Sequence, residues 1–526
     1  MIRCLALAAL IALTGAAAAA PAALRPIAVD GGLIEGVRLP SGASAWLGVP
    51  FAAAPVRDLR WKPPQPAAPW RGVRHAERFA PECLQPLRSP RQNHYFGEEA
   101  TSEDCLYLNV WAPTGARKAP VIVWIYGGGF NIGSASMANY SGEPLARAGV
   151  VRVNLAYRVG ALGFLAHPEL SRESGYGGSG DYGLMDQIAA LRWVKRNIAR
   201  FGGDPANVTI VGQSAGSMSV ALLQMSPEAG GLFVRAVGMS GSPFGGMIAP
   251  TSLAKAEAQG LVLQKELGAS SLDEMRAVPG DRIMAATSPR DPIVLDGRVV
   301  TGTAEDVFAA GRQSDVPILV GYTRDESFRP LSHAESVGDL VTAVRARFPD
   351  RAEAILSAYS GADPARAAID IGRDATVGLQ MADWAMWQQR YGRQPAYAYL
   401  FTRRQPYAPG VTFSDHDPAT VGAYHAGDVP YWLKTRDSLN LFRRTRIWEP
   451  GDAMLEREMS AALLAFARNG LPSSPAVGGW PRFSPDQPQL VWLGTQSRIV
   501  AWPHFADLPL FTGASFVTRD SRRPRD

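Results

Sequence analysis

The stretch 208–216 ends in the pattern Gly-x-Ser-x-Gly, residues 212–216, with a serine at the centre of the pattern. Three of the four residues before the pattern are apolar and β-branched, which predicts a strand, and small residues at helical spacing predict a helix over 215–225. A tight turn between them leaves no room for side chains at its flanks, which explains both glycines. Glycine and serine are also common in ordinary turns, so it is the strand and the helix that make Ser214 a candidate nucleophile.

A nucleophilic serine requires a base, and histidine is the usual one. Of the seven histidines, five lie in polar or proline-flanked contexts that are typical of surfaces: His75, His94, His167, His333 and His504. His416 lies between two aspartates in a predicted loop. His425 follows small residues and precedes Asp428 and an aromatic pair. A lone histidine there is usually structural, but the serine turn requires a base further along the chain, which favours His425.

The base in turn requires an acid that orients it. Asp325 and Glu326 both follow the predicted strand 317–322 and precede the histidine, and a solvated acidic loop beside Arg324 is the alternative interpretation. Open α/β sheets place their sites at the carboxyl ends of strands, so an acid at this point of the chain would lie near the serine turn.

Three glycines at 127–129 directly follow the unbroken apolar run 121–126. Such a run predicts a central strand that is buried on both faces. Backbone N–H groups without side chains around them can stabilise an oxyanion, and the N–H of Ala215 would add a further donor. A flexible turn is the alternative, but the position directly after a central strand favours an oxyanion hole.

These candidates need a scaffold that brings distant stretches together. Strand and helix patterns alternate along the chain, which predicts an α/β fold with a mainly parallel sheet and helices on both faces. The predicted strands are 28–38, 43–49, 107–111, 121–126, 150–156, 208–211, 234–239, 317–322, 397–401 and 490–493. The predicted helices are 184–200, 215–225 and 456–469, with helical insertions over 252–310 and 337–391. Trp384 and Trp387, in the second insertion, either line a pocket or pack in the core.

The chain has 526 residues, of which 46% are hydrophobic, so it can bury a large core. Its length alone suggests two or more domains, but large α/β enzymes also grow by insertion. We expect one catalytic domain over 24–516 and a disordered tail over 517–526. The net charge of +5 is mild, and the chain has no basic run long enough for a nucleic-acid groove.

The N-terminus has the pattern of a secretory signal, because Arg3 precedes a run rich in alanine and leucine. We expect a signal peptide over 1–20, cleaved near 19–22, and a secreted or periplasmic protein. A membrane anchor is less favoured, since the run is only weakly hydrophobic. Removal of the signal leaves Cys83 and Cys105, which we expect to form a disulfide worth about 3 kcal/mol rather than to stay two buried thiols.

Several longer motifs resemble the type-B carboxylesterases of the α/β-hydrolase superfamily, a group that includes the cholinesterases. The resemblance extends over residues 34–507. The motifs that carry it are 48–52, 59–61 with 69–70, the cysteine motif 103–110, residues 154 and 157–158, 163–165, and the serine motif 201–205 with 212–216.

The resemblance implies an α/β-hydrolase fold and an esterase that acts on small-molecule esters. The matching positions are Ser214 as nucleophile, Glu326 as acid, His425 as base, and Gly128, Gly129 and Ala215 as oxyanion donors. Positions that support the histidine match at Ser240 and Asp428, beside Gln213, and the family's N-terminal disulfide matches at Cys83 and Cys105. It implies no metal and no organic cofactor, and it leaves the oligomeric state open. The lack of a long basic run predicts no nucleic-acid partner, and the weakly hydrophobic N-terminal run predicts no stable membrane anchor.

Two departures from the cholinesterases bear on the substrate. Gln213 stands where they have glutamate, and the loop between the cysteines lacks their cation-stacking tryptophan. Asp181 also replaces an asparagine that is common in the family, and no consequence for the substrate is predicted from it. That loop carries Arg88, Arg91, His94, Tyr95 and Phe96 instead. The loss of a negative charge and of an aromatic platform predicts neutral or anionic esters, not choline esters. The alternatives are a non-catalytic adhesion or binding protein on the same fold, and a hydrolase specialised for a polyester, an amide or a natural-product ester.

Overall fold

The structure is a computed structural model that describes residues 22–97, 100–245, 249–286, 289 and 291–512. The expected signal peptide and C-terminal tail lie outside these residues, and the single catalytic domain over 24–516 stays a prediction. No helix in the described part of the chain combines the length and the apolarity that crossing a membrane requires.

The strands form one large sheet and several small ones. Their bounds are β1 Ala22–Ala23, β2 Ile27–Val29, β3 Gly32–Glu35, β4 Val37–Arg38, β5 Ser44–Pro50, β6 Val73–His75, β7 Glu82–Cys83, β8 Thr101–Ser102, β9 Tyr107–Ala112, β10 Ala119–Ile125, β11 Val151–Leu155, β12 Gly203–Gln213, β13 Arg235–Met239, β14 Thr251–Ser252, β15 Val294–Leu295, β16 Ile318–Thr323, β17 Ala396–Phe401, β18 Ser473–Ser474, β19 Gly478–Gly479, β20 Gln489–Leu493 and β21 Arg498–Ala501. Among the described residues, twelve strands form the large sheet in the order β1-β4-β5-β9-β11-β10-β12-β13-β16-β17-β20-β21. Neighbours from β11 to β20 are parallel, and the pairs outside them are antiparallel.

Strand β10 lies in the parallel centre of the sheet, as its unbroken apolar run predicts. Val123 pairs with Val153 of β11 on one side and with Ile210 of β12 on the other. The side chains from Val121 to Ile125 are fully buried. Burial on both faces requires helices on both sides of the sheet, which is why apolarity without alternation marks a central strand.

The α-helices connect the parallel strands and fill the two insertions. Their bounds are α1 Glu143–Arg147, α2 Gly160–Phe164, α3 Pro168–Glu173, α4 Tyr182–Asn197, α5 Ala215–Met225, α6 Leu253–Leu267, α7 Leu272–Ala277, α8 Gly280–Ala285, α9 Ala304–Ala309, α10 Val337–Arg347, α11 Ala352–Ala358, α12 Pro364–Arg373, α13 Leu379–Tyr391, α14 Val429–Leu433 and α15 Pro450–Asn469. Helix α5 has the predicted bounds, and the insertions contain α6 to α9 and α10 to α13. The edge strand β21 is absent from the prediction, because it is short and mostly exposed and lacks apolar alternation.

Two expectations about buried side chains are resolved by the packing. The expectation of a surface position for His167 is wrong, because the residue is only 1% exposed. Its Nδ1 accepts the N–H of Glu169 and so caps helix α3, whose first residue is the proline that had suggested a surface. Trp384 is a core residue, since it is fully buried and its Nε1 donates a hydrogen bond of 2.8 Å to Gln224.

Cys83 and Cys105 form the expected disulfide, with their Cα atoms 4.9 Å apart. Strands β7 and β8 pair in parallel inside the loop that the bridge closes, and they bring Cys83 beside Ser102. Both cysteines are buried. The bridge therefore fixes the two ends of the loop in the core and leaves the middle of the loop to face other parts of the molecule.

Candidate active site

Ser214 lies at the point where β12 ends and α5 begins. Its backbone has φ 58° and ψ −125°, a conformation that costs a non-glycine residue about 1–3 kcal/mol and persists only when the surroundings impose it. A Cβ atom on Gly212 would lie 2.2 Å from the carbonyl oxygen of Gly216, and one on Gly216 would lie 2.1 Å from that of Ile125. The predicted sequence of strand, tight turn and helix is thus confirmed, and the close packing explains both glycines.

Glu326 follows β16 and meets His425 from the loop after β17. One carboxylate oxygen accepts hydrogen bonds from Ser240 Oγ at 2.7 Å and from the N–H of Thr323 at 2.6 Å. The other oxygen faces Nδ1 of His425. Because a carboxylate can only accept, Nδ1 carries the proton and Nε2 presents a lone pair, which is the tautomer that a general base requires.

The charge of Glu326 also sets the protonation of His425. Burial disfavours the imidazolium, but attraction to the carboxylate and the hydrogen bond to it outweigh burial and raise the pKa of His425 above its ordinary value. Phe328 packs edge-on against the imidazole, with the ring centres 5.2 Å apart. The histidine is therefore held on one edge by a charge and on one face by an aromatic ring.

Gln213 contacts the free side of the imidazole. Its amide nitrogen lies 3.1 Å from Nε2 of His425, and since Nε2 is the acceptor in this tautomer, the amide donates the hydrogen bond. The hydroxyl of Ser214 has no hydrogen-bond partner among the described residues. In this state the lone pair of the candidate base is occupied by the residue next to the candidate nucleophile.

The backbone after β10 presents unpaired donors beside the serine. Gly128 and Gly129 have φ values of +114° and +62°, and a Cβ on Gly128 would lie 2.2 Å from the carbonyl oxygen of Ile132. Within the described part of the chain, the N–H groups of both glycines have no hydrogen-bond acceptor. Ala215 is the first residue of α5, so its N–H also lacks a partner inside the helix. These three N–H groups can together bind an oxyanion.

Asp325, the other candidate acid, does not contact the imidazole in this structure. It joins the two loops instead: its N–H donates to the carbonyl oxygen of Ala423 at 3.1 Å, and its carboxylate accepts the N–H of Ala423 at 2.7 Å. Arg324 and Arg366 pair with the same carboxylate. Burial opposes ionisation, but these donors outweigh it and lower the pKa of Asp325. This linking role was not predicted, because no local pattern in the sequence signals it.

Asp428 and Ser240 lie behind the acid and the base. Ser240 donates its hydroxyl hydrogen to Glu326. Asp428 is fully buried and accepts hydrogen bonds from Tyr399 at 2.7 Å and Trp432 at 3.3 Å, and burial raises its pKa to about 6. Asp428 therefore acts on His425 through its charge, not through a hydrogen bond.

Four of the candidate residues line one cavity of about 760 Å³. Ser214, Ala215, Gly129 and His425 form its floor, and its apolar walls are Phe130, Met218, Ile293 and Phe328. The floor supplies polar groups and the walls supply apolar surface, a combination typical of a site for a small organic molecule. These wall residues were not predicted, because they come from several distant segments of the chain.

The loop between Cys83 and Cys105 contacts the segment that carries His425. The His94 ring packs against Tyr424, the residue before His425, with the centres 5.7 Å apart. Burial lowers the pKa of His94 to about 4, so this histidine is neutral at physiological pH. Behind it, Asn93 binds the buried guanidinium of Arg446 at 2.6 Å.

One cluster among the described residues has the ligand types of a metal site. Glu35, His75 and Glu77 lie on or next to the small sheet of β2, β3 and β6, with ligand atoms within 4.8 Å of one another. His75 and Glu77 are exposed, and neither the cluster nor that sheet contributes to the cavity with Ser214.

The fold and the site place the chain in a defined class of protein. A parallel sheet of this order, with the serine turn after β12, is the α/β-hydrolase fold. Residues 24–504 match the model of the Carboxylesterase family, and the chain belongs to that family. It is an enzyme of the carboxylesterase class.

Named relatives and solved structures agree with this assignment. The chain is 38% identical to "Fumonisin B1 esterase" of Sphingopyxis macrogoltabida over 86% of this chain and 83% of that protein. It is 32% identical to "Para-nitrobenzyl esterase" of Bacillus subtilis (strain 168) over 87% of this chain and 93% of that protein. A solved PNB esterase superposes with a TM-score of 0.78 at 30% identity, covering 93% of this chain and 99% of that one. The likeness extends over almost the whole described chain and is not confined to the serine motif.

Proposed function

We propose that this protein is a serine carboxylic-ester hydrolase that works through an acyl-enzyme, with Ser214 as nucleophile, His425 as base and Glu326 as acid. The observation that carries the proposal is the contact between the buried Glu326 carboxylate and Nδ1 of His425, on the floor of the cavity that Ser214 also lines. That contact prepares Nε2 to accept a proton, and unpaired backbone N–H groups lie beside it.

The first half of the reaction forms the acyl-enzyme. Nε2 of His425 leaves the Gln213 amide, accepts the hydroxyl proton of Ser214, and the serine oxygen bonds to the ester carbonyl carbon. The carbonyl oxygen becomes an oxyanion on the N–H groups of Gly128, Gly129 and Ala215; loss of one such donor costs about 10²–10³ in rate. The carbon–oxygen bond to the alcohol then breaks, and His425 gives its proton to the departing alcohol.

The second half releases the acid. A water molecule gives its proton to Nε2 of His425 while its oxygen bonds to the acyl carbon, and the same N–H groups hold the second oxyanion. The bond to Ser214 then breaks, the serine recovers the proton, and a carboxylic acid leaves. Glu326 stabilises the imidazolium in both halves and stays ionised throughout.

We infer that the substrates are neutral or anionic esters. Gln213 carries no charge where the cholinesterases have a carboxylate, and the aromatic walls of the cavity are phenylalanines, which attract a cation less strongly than tryptophan does. The named activities of the relatives, on fumonisin B1 and para-nitrobenzyl esters, are also activities on esters. Comparable hydrolysis of a choline ester and a matched neutral ester would contradict this inference.

The test is a burst and turnover assay on p-nitrophenyl esters from acetate to laurate, with Ser214→Ala as the blank. We expect turnover in the wild type and a loss of about 10⁶ in kcat in the variant, the cost of removing the serine in another triad enzyme. The best chain length measures the acyl side of the cavity. A folded wild type that turns over none of these esters would favour the binding protein or a specialised hydrolase.

We further infer that the protein is exported. The N-terminal pattern of residues 1–20 and the Cys83–Cys105 disulfide support this location, since disulfides persist in oxidising compartments. Cell fractionation with N-terminal sequencing is the test: a mature chain that begins near 20–23 in the periplasm or medium is the expected result. Recovery of the full-length chain with reduced cysteines from the cytoplasm would contradict it.

A further inference from the structure

The loop that follows Glu326 places an arginine in the wall of the cavity. Phe328 contacts the His425 ring, and Arg329, the next residue, lines the cavity that also contains Ser214. The N–H of Arg329 donates to Ser327 Oγ at 3.2 Å, and that hydroxyl donates to the carbonyl oxygen of Gly372 at 2.6 Å. These hydrogen bonds hold the backbone of the loop against helix α12, so the Cα atom of Arg329 has a fixed position near His425.

The charges that line the cavity do not balance. Lys255 and Asp291 form an ion pair of 2.7 Å, and Gln259 adds a hydrogen bond to the same aspartate. Arg329 is exposed, and its guanidinium has no hydrogen bond, ion pair or aromatic contact with any described residue. Once the paired charges cancel, one positive charge remains among the described residues that line the cavity.

We propose that Arg329 binds a carboxylate carried by the ester substrate, so that the preferred substrates are esters with a free acid group. This inference rests on the proposed esterase function and narrows its substrate class from neutral or anionic to anionic. A guanidinium can bind a carboxylate through two parallel hydrogen bonds, and an arginine that no protein acid occupies is available for that contact. Gln213, which contacts His425, is neutral and so adds no negative charge beside the base.

Arg329 could bind a carboxylate on either of two parts of the ester substrate. The acid group can belong to the acyl part, as in a half-ester of a dicarboxylic acid, or to the alcohol part, whose oxygen must lie near His425 to receive a proton. Both substrates present the same chemistry to the guanidinium, so the experiment tests both.

The test compares kcat/KM for two matched pairs of esters. The acyl pair is mono-p-nitrophenyl glutarate and p-nitrophenyl pentanoate, and the alcohol pair is m-carboxyphenyl butanoate and m-tolyl butanoate. For each pair we take the ratio of the anionic to the neutral ester in the wild type, Arg329→Gln, Arg329→Lys and Arg329→Glu. We expect Arg329→Gln to lower the ratio of at least one pair by roughly tenfold to a hundredfold, the range for hydrogen bonds to charged groups. Arg329→Lys should restore part of the loss, and Arg329→Glu should lower the ratio further.

A charge control separates local contact from the field of the whole protein. Arg345 of α10 forms an exposed ion pair with Glu353 of α11. Arg345→Gln removes this positive charge, and we expect it to leave both ratios at their wild-type values. High salt should lower the ratio in the wild type more than in Arg329→Gln, because a partly exposed ion pair is screened.

The outcomes also separate this inference from the proposed function. If the wild type hydrolyses the neutral esters and Ser214→Ala does not, but Arg329→Gln leaves both ratios unchanged, the inference on Arg329 is overturned and the esterase stands. The same holds if Arg345→Gln lowers the ratios as much as Arg329→Gln does. If the folded wild type hydrolyses none of the four esters, both proposals are overturned together.

Discussion

The proposed nucleophile and the proposed base are positioned by different physical interactions. Ser214 lies between a central strand and a buried helix, where backbone atoms approach so closely that two flanking positions accept only glycine. His425 lies on a loop, and a network of hydrogen bonds and charges through Glu326 and Asp325 positions it.

The difference has a consequence for mutation. At a closely packed position, a small change in side-chain volume lowers the free energy of unfolding. In a polar network, the loss of a charge changes the protonation state of a neighbour or displaces a side chain. Changes around the serine should therefore lower stability and rate together, whereas changes around the histidine should lower the rate with less effect on stability.

Among the variants that keep Ser214, the largest expected effect on rate follows removal of the charge at Glu326. We expect Glu326→Gln to lower kcat by about 10⁴, the cost of the equivalent change in another triad, because the amide no longer favours the proton on Nδ1. Without the Glu326 carboxylate, burial is opposed only by the smaller attraction to Asp428, so the pKa of His425 falls and the acidic limb of the kcat/KM profile moves to lower pH. The free energy of unfolding should fall by less than about 2 kcal/mol. An acidic limb that stays in place would contradict the assignment of Glu326.

A change in packing at the serine turn should affect stability most. We expect Gly216→Ala to lower the free energy of unfolding by about 3 kcal/mol and kcat by about a hundredfold, because its Cβ would lie 2.1 Å from the carbonyl oxygen of Ile125. The control is Gly361→Ala, where a Cβ would meet no atom within 4 Å. Chemical denaturation with a parallel assay measures both quantities. A stable but slow Gly216→Ala enzyme would break the proposed contrast between the two regions.

Asp325 offers a smaller test of the polar side. We expect Asp325→Asn to lower kcat roughly tenfold, because the loop of His425 loses a charged acceptor for the N–H of Ala423. The folded pKa of Asp325 is lowered, so its ionisation stabilises the native state above the unfolded pKa. That stability is lost as the pH falls through the lower folded pKa. The variant should lack this acid-dependent loss, and urea denaturation along a pH series measures it.

The control for this variant is Asp339→Asn, which changes another aspartate whose pKa is lowered, in the capping box of α10. It should lower stability slightly and leave kcat unchanged, because Asp339 hydrogen-bonds Ser336 at the start of α10, which packs against α11 and α12. Equal kcat in Asp325→Asn and the wild type would show that hydrogen bonds from Asp325 do not position His425.

The two regions also differed in how well the sequence predicted them. The serine turn is local: a β-branched run, two glycines and a helix pattern lie within a few residues, so its glycines and the bounds of α5 were predicted. The strand was predicted over 208–211, and β12 extends over Gly203–Gln213. The polar network is not local, because residues 325 and 423 meet only after two parallel strands have paired. Family resemblance indicated Glu326 over Asp325, but the linking role of Asp325, the contact of Phe328 and the free charge of Arg329 required coordinates.

The smallest expected effect concerns Gln213, which lies in both regions, since it ends β12 and contacts Nε2 of His425 at 3.1 Å. In Gln213→Glu a second carboxylate faces the imidazole, so the pKa of His425 should rise further and the acidic limb should move to higher pH. Above that limb the base is neutral in both enzymes, and the rates should agree within about threefold. The backbone of β12 is unchanged, so the free energy of unfolding should stay close to the wild-type value. If the variant instead loses activity equally at every pH, Gln213 acts through the packing of the serine turn. Gln213 then belongs to the packed region, and the polar network begins at His425.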